Sequence, residues 1–230
     1  MLGGCSDDPS RLTNGSGPDG YYATAEPDGV DTGGDPDSKA TGTGTKSSGS
    51  SAAPPTVAPS GPAPNTSSSF GEEAVRRARS WVQAQMPYCG GPNGGKDVLC
   101  GGTCSRTGAA AKPEWDPYRS DCSGFVSYAW GLKAPGRTTR TLAPHDDDES
   151  SVITVDELAP GDALNNDSHV MLFGGWADKA AGTAILLQAH RCGKVASEKT
   201  IKLTKIESSK VRIEDTTGRV FIAIRKKGIR

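Results

Sequence analysis

Apolar residues recur at helical spacing early in the folded part of the chain and alternate along its later stretches. Ala74, Val75, Ala78, Trp81, Val82 and Met86 make one stripe, with Glu73, Arg76, Arg77 and Arg79 mostly off it. Ser69 followed by Glu72 predicts a capping box at the start of this helix, and Pro87 predicts its end. Phe125, Val126 and Ala129 give a second helix that opens at Cys122. From Val152 the pattern turns to β. Val152 to Val155, His169 to Phe173, Thr183 to Ala189, Ser197 to Ile206 and Arg219 to Arg225 read as strands, with Leu158 to Asp162 a turn into Ala163 and Leu164. Helices followed by antiparallel strands predict an α+β domain whose sheet is exposed on one face.

Composition divides the chain. Residues 6–69 are rich in Gly, Ser, Thr, Pro, Asp and Ala and lack apolar periodicity, so burial there cannot offset the entropy of ordering. They read as a disordered linker, and 70–230 as one folded domain. The first 69 residues carry 8 acidic and 3 basic side chains, the remainder 19 and 23. A mildly basic domain without an arginine-rich run interleaved with aromatics argues against nucleic-acid binding. Residues 131–151 read as loop, and their cluster Asp146, Asp147, Asp148 and Glu149 as a solvated charge run.

Six cysteines bear on compartment. Leu2-Gly3-Gly4-Cys5 resembles a bacterial lipobox, which makes Cys5 a lipidation candidate and residues 1–5 a trimmed signal. The acidic, Ser- and Pro-rich tract that follows suits a membrane tether. Cys89, Cys100, Cys104 and Cys192 are disulfide candidates in an exported domain, with three connectivities open. Cys100 and Cys104 have a spacing that zinc accepts, but no second tight pair or nearby histidine completes such a site.

Cys122 has a different chemistry. On the first turn of a helix its sulfur meets unpaired N–H groups and the positive end of the helix dipole, which stabilise a thiolate. A structural cysteine on an ordinary helix is the competing reading. A nucleophilic thiolate needs a base, and His169, at the head of the run His169 to Phe173, is preferred over His145 in the acidic loop.

Pro87-Tyr88-Cys89-Gly90-Gly91, Asp121-Cys122-Ser123-Gly124-Phe125-Val126, Pro160-Gly161-Asp162 and His169-Val170 occur in the order of NlpC-type cell-wall cysteine peptidases, and the chain resembles that family over most of 70–230. The 47 residues between Cys122 and His169 are close to its habit. The resemblance implies a papain-like α+β fold, with the nucleophile helix and other N-terminal helices packed on a mostly antiparallel sheet of five to six strands. It implies Cys122 as nucleophile, His169 as base and Tyr88 as an active-site hydroxyl, with Asp121 and Ser123 shaping the cleft and recognising a free amine. By family register Gln188 is the third residue, orienting the imidazole through its amide oxygen. His190, two residues on, shares its face in an ideal strand and is the alternative.

The activity so implied is peptidoglycan hydrolysis by a monomeric enzyme. Stem-peptide amides such as the γ-D-glutamyl to diamino-acid bond would be cut through a thioester, with no metal or organic cofactor. Amidase action between muramic acid and L-alanine, a CHAP-like amidase or acyltransferase, and a non-catalytic wall-binding module are the alternatives. The implied location is the cell envelope, as a periplasmic or outer-membrane lipoprotein, or secretion. The segment from Gly91 to Asp121 is longer than the family's and carries Cys100, Cys104 and Trp115, so substrate choice is what it changes.

Overall fold

The computed structural model describes residues 69–214 and 218–228. The linker reading over 6–69 and the lipidation reading at Cys5 lie outside the described residues, Ser69 excepted.

Helix α1 spans Phe70–Gln83 and opens with the predicted capping box, in which the Ser69 and Glu72 side chains each bind the other's backbone N–H. It ends before Pro87 for a local reason. Gln85 takes a positive φ of 51°, Met86 N–H donates to the Trp81 carbonyl, and Gln85 N–H donates to that of Val82. This is a Schellman closure, and it places Met86 beyond the helix yet fully buried, where the apolar stripe had counted it as helical.

Helix α2 spans Cys122–Ala129. Trp81 of α1 stacks on Tyr128 of α2 at 4.5 Å and meets Phe125 edge-on at 5.9 Å. Trp115 and Tyr118 of the long segment after Gly91 complete this aromatic cluster, so the extension is part of the core on the helices. Arg106 supports it from within. Its buried guanidinium donates to the carbonyls of Trp115 and Tyr118 and lies 5.7 Å from the Trp81 ring centre, and burial pulls its pKa below the usual arginine range.

Seven strands follow: β1 (Ser150–Val152), β2 (Ala163–Asn165), β3 (Val170–Asp178), β4 (Thr183–Gln188), β5 (Ser197–Lys205), β6 (Lys210–Ile213) and β7 (Val220–Lys226). All pairings are antiparallel, in the order β1-β7-β2-β3-β4-β5-β6, and β6 pairs back onto β7. Strands β2 to β7 therefore close into a six-stranded barrel with β1 as an outer strand. This overturns the papain-like α+β expectation and its half-exposed sheet, because an open sheet on a helical layer has no pairing between its ends.

Two features explain the closure. Strand β6 is a four-residue alternation, Lys210-Val211-Arg212-Ile213, that the sequence reading did not assign, and it supplies the closing ladder. Register shifts on β3 between Phe173 and Gly175 and between Trp176 and Asp178 bend the sheet, and Gly175 adopts φ 129° at the first. Strand β1 also begins earlier than predicted, since Val155–Glu157 forms a 3-10 turn.

The barrel has a filled interior. Leu164, Met171, Phe173, Leu186, Leu203, Val211 and Phe221 come from all six of its strands and form one apolar cluster. Alternate residues Ala163, Val170, Leu172, Leu187 and Ile224 point the other way and pack under α1 and α2 with Trp81 and Phe125. The strands beneath the helices are thus buried on both faces.

The Pro160-Gly161-Asp162 turn ties these layers. Gly161 has φ 90°, and a Cβ there would lie 2.5 Å from Gly71 Cα, so the turn sits against the first residues of α1. Trp130 Nε1 donates to the Gly161 carbonyl at 2.7 Å.

Candidate functional site

The head of α2 is built by the residues around Cys122. Asp121 is the N-cap, and its Oδ1 accepts from Gly124 N–H at 2.6 Å and from Ser123 Oγ at 3.0 Å. Gly124 is required there, because a Cβ would stand 2.2 Å from the Arg119 carbonyl oxygen. Asp, Ser and Gly of the motif thus fix where the helix begins, which makes Cys122 its first residue. Asp121 and Ser123, read as substrate contacts, are buried with their polar atoms held inside the chain. Burial first of all pushes the Asp121 carboxyl above its ordinary range, against the opposing pull of Arg119, whose Nε is 3.6 Å from Oδ2, and of its own hydrogen bonds.

Cys122 is fully buried in the helix-side core together with Tyr88, Val170, Leu187 and Ala189. It is also disulfide-bonded, and its partner lies outside the described residues. That corrects the picture of a standing thiolate, since a disulfide sulfur is no nucleophile until it is reduced.

His169 stands just before β3. The chain reaches it through an Asx-type turn in which Asn166 Oδ1 accepts from Ser168 N–H and His169 N–H at 3.0 and 2.9 Å, while Asn166 N–H donates to the His169 carbonyl. Asn166 escaped the sequence reading, although Asn-Asn-Asp-Ser between two apolar runs is the signal for such a turn. Upstream, buried Asn165 donates to the carbonyls of Thr139 and Ala143 and so fastens the 139–143 loop to β2.

Gln188 closes β4. Its Oε1 lies 2.7 Å from His169 Nε2. The same oxygen lies 3.3 Å from His190 Nδ1, and the two imidazoles meet edge to face at 5.4 Å. Extending the register Leu172 to Leu187 sets His169 opposite His190 and Gln188 diagonal to it on the same face. Gln188 and His190 are therefore joined, where the sequence had set them as alternatives. His169 also lies 6.3 Å from Phe221 of the barrel interior, whereas its neighbour Val170 shares the core of Cys122. The base candidate thus stands at the boundary between the two cores.

Tyr88 is buried in that helix-side core. Its N–H donates to the Lys194 carbonyl, and Pro87 bridges Val195, which ties the tyrosine segment to the turn after β4. His145, passed over as base, pairs instead with Asp167 at 2.8 Å.

The four disulfide candidates pair as Cys89–Cys104 and Cys100–Cys192. The first closes the loop after Tyr88, and the second ties that loop to the turn that carries His190. Buried Asp97, also unread in the sequence, organises the loop by accepting from the N–H groups of Gly90, Leu99 and Cys100. Because Cys100 and Cys104 belong to different disulfides, they offer no pair of thiolates to zinc. These disulfides are compatible with export, and no helix among the described residues is long and apolar enough to cross a membrane.

No family model, curated protein or solved structure matches the chain. The resemblance to NlpC-type peptidases accordingly rests on the motif residues.

Proposed function

We propose that the chain is an exported cysteine peptidase or amidase of NlpC type that acts on amide bonds of peptidoglycan stem peptides. The observation that carries this reading is the 2.7 Å contact of His169 Nε2 with Gln188 Oε1 at the ends of β3 and β4, the strands on which α2 and its first residue, Cys122, are packed. An amide oxygen only accepts, so this contact places the imidazole proton on Nε2 and leaves Nδ1 as the basic nitrogen of the neutral ring.

The active species is the reduced protein. A dithiol reductant transfers two electrons to the Cys122 disulfide and frees its sulfur. The thiol gives its proton to Nδ1 of His169, which becomes imidazolium, and the head of α2 stabilises the resulting thiolate through its N–H groups and dipole. The thiolate attacks the amide carbonyl, the C–N bond breaks as imidazolium His169 gives its proton to the amine, and water hydrolyses the thioester with His169 taking that water's proton. Tyr88, in the same core as Cys122, contributes a neighbouring hydroxyl.

Digestion of defined muropeptides after mild reduction, read by mass, tests the proposal. Reduced wild type should release peptide fragments, and Cys122→Ala should lose at least about 1,000-fold in rate. Equal release by both would overturn it. The full burial and disulfide bond of Cys122 favour a second, non-catalytic reading, in which the chain is a wall-binding module. Retention on peptidoglycan with no cleavage after reduction would select it.

Tethering in the envelope through a lipidated Cys5 belongs to the form in which Cys122 carries a free thiol, because a thioether at Cys5 leaves no sixth sulfur for a third disulfide. The intact mass of protein extracted from the envelope checks it, and an N-terminal peptide without added acyl mass would remove the tether.

A further inference from the structure

We infer that His190 is a positioning residue for the base, acting through Gln188, in the peptidase reading given above. One carbonyl oxygen faces two imidazoles, His169 Nε2 at 2.7 Å and His190 Nδ1 at 3.3 Å. An amide oxygen has two lone pairs and no proton, so both facing nitrogens carry hydrogen. The arrangement therefore fixes two tautomers together, Nε2–H at His169 and Nδ1–H at His190.

The two contacts do different work. The His169 bond sets the base, and the His190 bond holds the amide that sets it. A side-chain amide held on one side only can turn about its last torsion and present NH2 in place of oxygen, which would invert the His169 tautomer and put its proton on Nδ1. Donation from His190 to the second lone pair opposes that rotation. Gln188 is buried while His190 is partly exposed, so the anchor reaches the buried amide from the solvent side. The backbone also constrains His190, since the turn after β4 is bound through Cys192 to Cys100 and through Lys194 to Tyr88.

Two variants separate this role from packing. His190→Phe keeps a ring and removes the donor, whereas His190→Asn returns a donor N–H close to the place of Nδ1. Nitrogen-15 NMR of histidine-labelled full-length protein, with His145→Ala used for assignment, reads the tautomers directly. Wild type should show Nε2–H at His169, His190→Phe should mix the two His169 tautomers, and His190→Asn should restore the wild-type pattern. In muropeptide cleavage after reduction, His190→Phe should lower kcat about tenfold with KM unchanged, the scale of one hydrogen bond, and His190→Asn should recover most of it. An unchanged His169 tautomer in folded His190→Phe would overturn the inference, as would His190→Asn behaving like His190→Phe. Because the tautomer is read without turnover, absence of cleavage by wild type would count against the peptidase reading alone.

Discussion

Asp162, at the turn before β2, and Arg225 of β7 share two hydrogen bonds of 2.7 Å, from Nε and Nη2 of one guanidinium to the two oxygens of one carboxylate. The pair joins the motif turn at α1 to the strand that closes the barrel. Asp162 is buried and Arg225 partly exposed, so solvent screens the attraction from one side only. Arg225→Met should cost about 2 kcal/mol in urea unfolding, because it leaves a buried carboxylate without its cation. Asp162→Asn should cost less, since the arginine it strands can reach water. The reverse order would show that the pair is not the joint described.

Gly124 has no room for a methyl group. Its ideal Cβ would sit 2.2 Å from a backbone oxygen, which cannot swing aside as a side-chain tip could. Gly124→Ala should destabilise the fold by about 3 kcal/mol in urea unfolding and shift the start of α2. Normal stability in that variant would mean that the helix head is looser than drawn.

Two carboxyl groups act with opposite sign on pH dependence. Glu73, bonded to Arg76 and Arg77, is pulled down to about 2, mainly by the Arg76 hydrogen bond. A depressed acid contributes stability above its unfolded pKa and loses it as pH falls through the folded value, here between 4.5 and about 2. Glu73 is partly exposed and pairs with a well-solvated Arg76, so solvent screens the pair and the effect is small and weakens with salt. Asp121 is raised by burial, so its contribution is present below its unfolded pKa and is lost as pH rises through the folded one. Glu73→Gln should flatten the acid limb of the stability curve, and Asp121→Asn, which keeps a capping oxygen, should gain on wild type as pH rises. Urea midpoints across pH read both, and parallel curves for Asp121→Asn and wild type would remove the raised Asp121.

The two described disulfides span very different lengths of chain, 15 residues for Cys89–Cys104 and 92 for Cys100–Cys192. Loop-closure entropy assigns about 3 kcal/mol to the first and about 4.5 kcal/mol to the second. Serine pairs at each site, compared by thermal unfolding, should show the larger loss for Cys100 and Cys192. Equal losses would point to local packing as the source of both.

The helices were legible because their signals are local. The Ser69 and Glu72 box and the Asp121 cap act within one turn and survive whatever packs above them. The positions of His169 and Gln188 followed from the motifs, and the turn that presents His169 could have been read from Asn166. The closed barrel was not legible, because it turns on Lys210 to Ile213, four residues that alternate too briefly to stand out from a loop. Met86 was miscounted because a buried residue after a left-handed turn keeps the apolar identity of the helix without its geometry. The state of Cys122 had no sequence signal, since spacing does not report which sulfurs meet.

Strand β7 changes partners along its length. Val220 to Ile222 pair with β6 and Ile224 to Lys226 with β1, while Ile222 to Ile224 pair with β2 on the opposite edge. Three strands thus wait for one that emerges after all of them during synthesis. Until then β1, β2 and β6 keep open edges, and the sheet cannot round into its final shape. The barrel is consequently unfinished until β7 has emerged, and the strand that follows its three partners in the chain is the one that locks them.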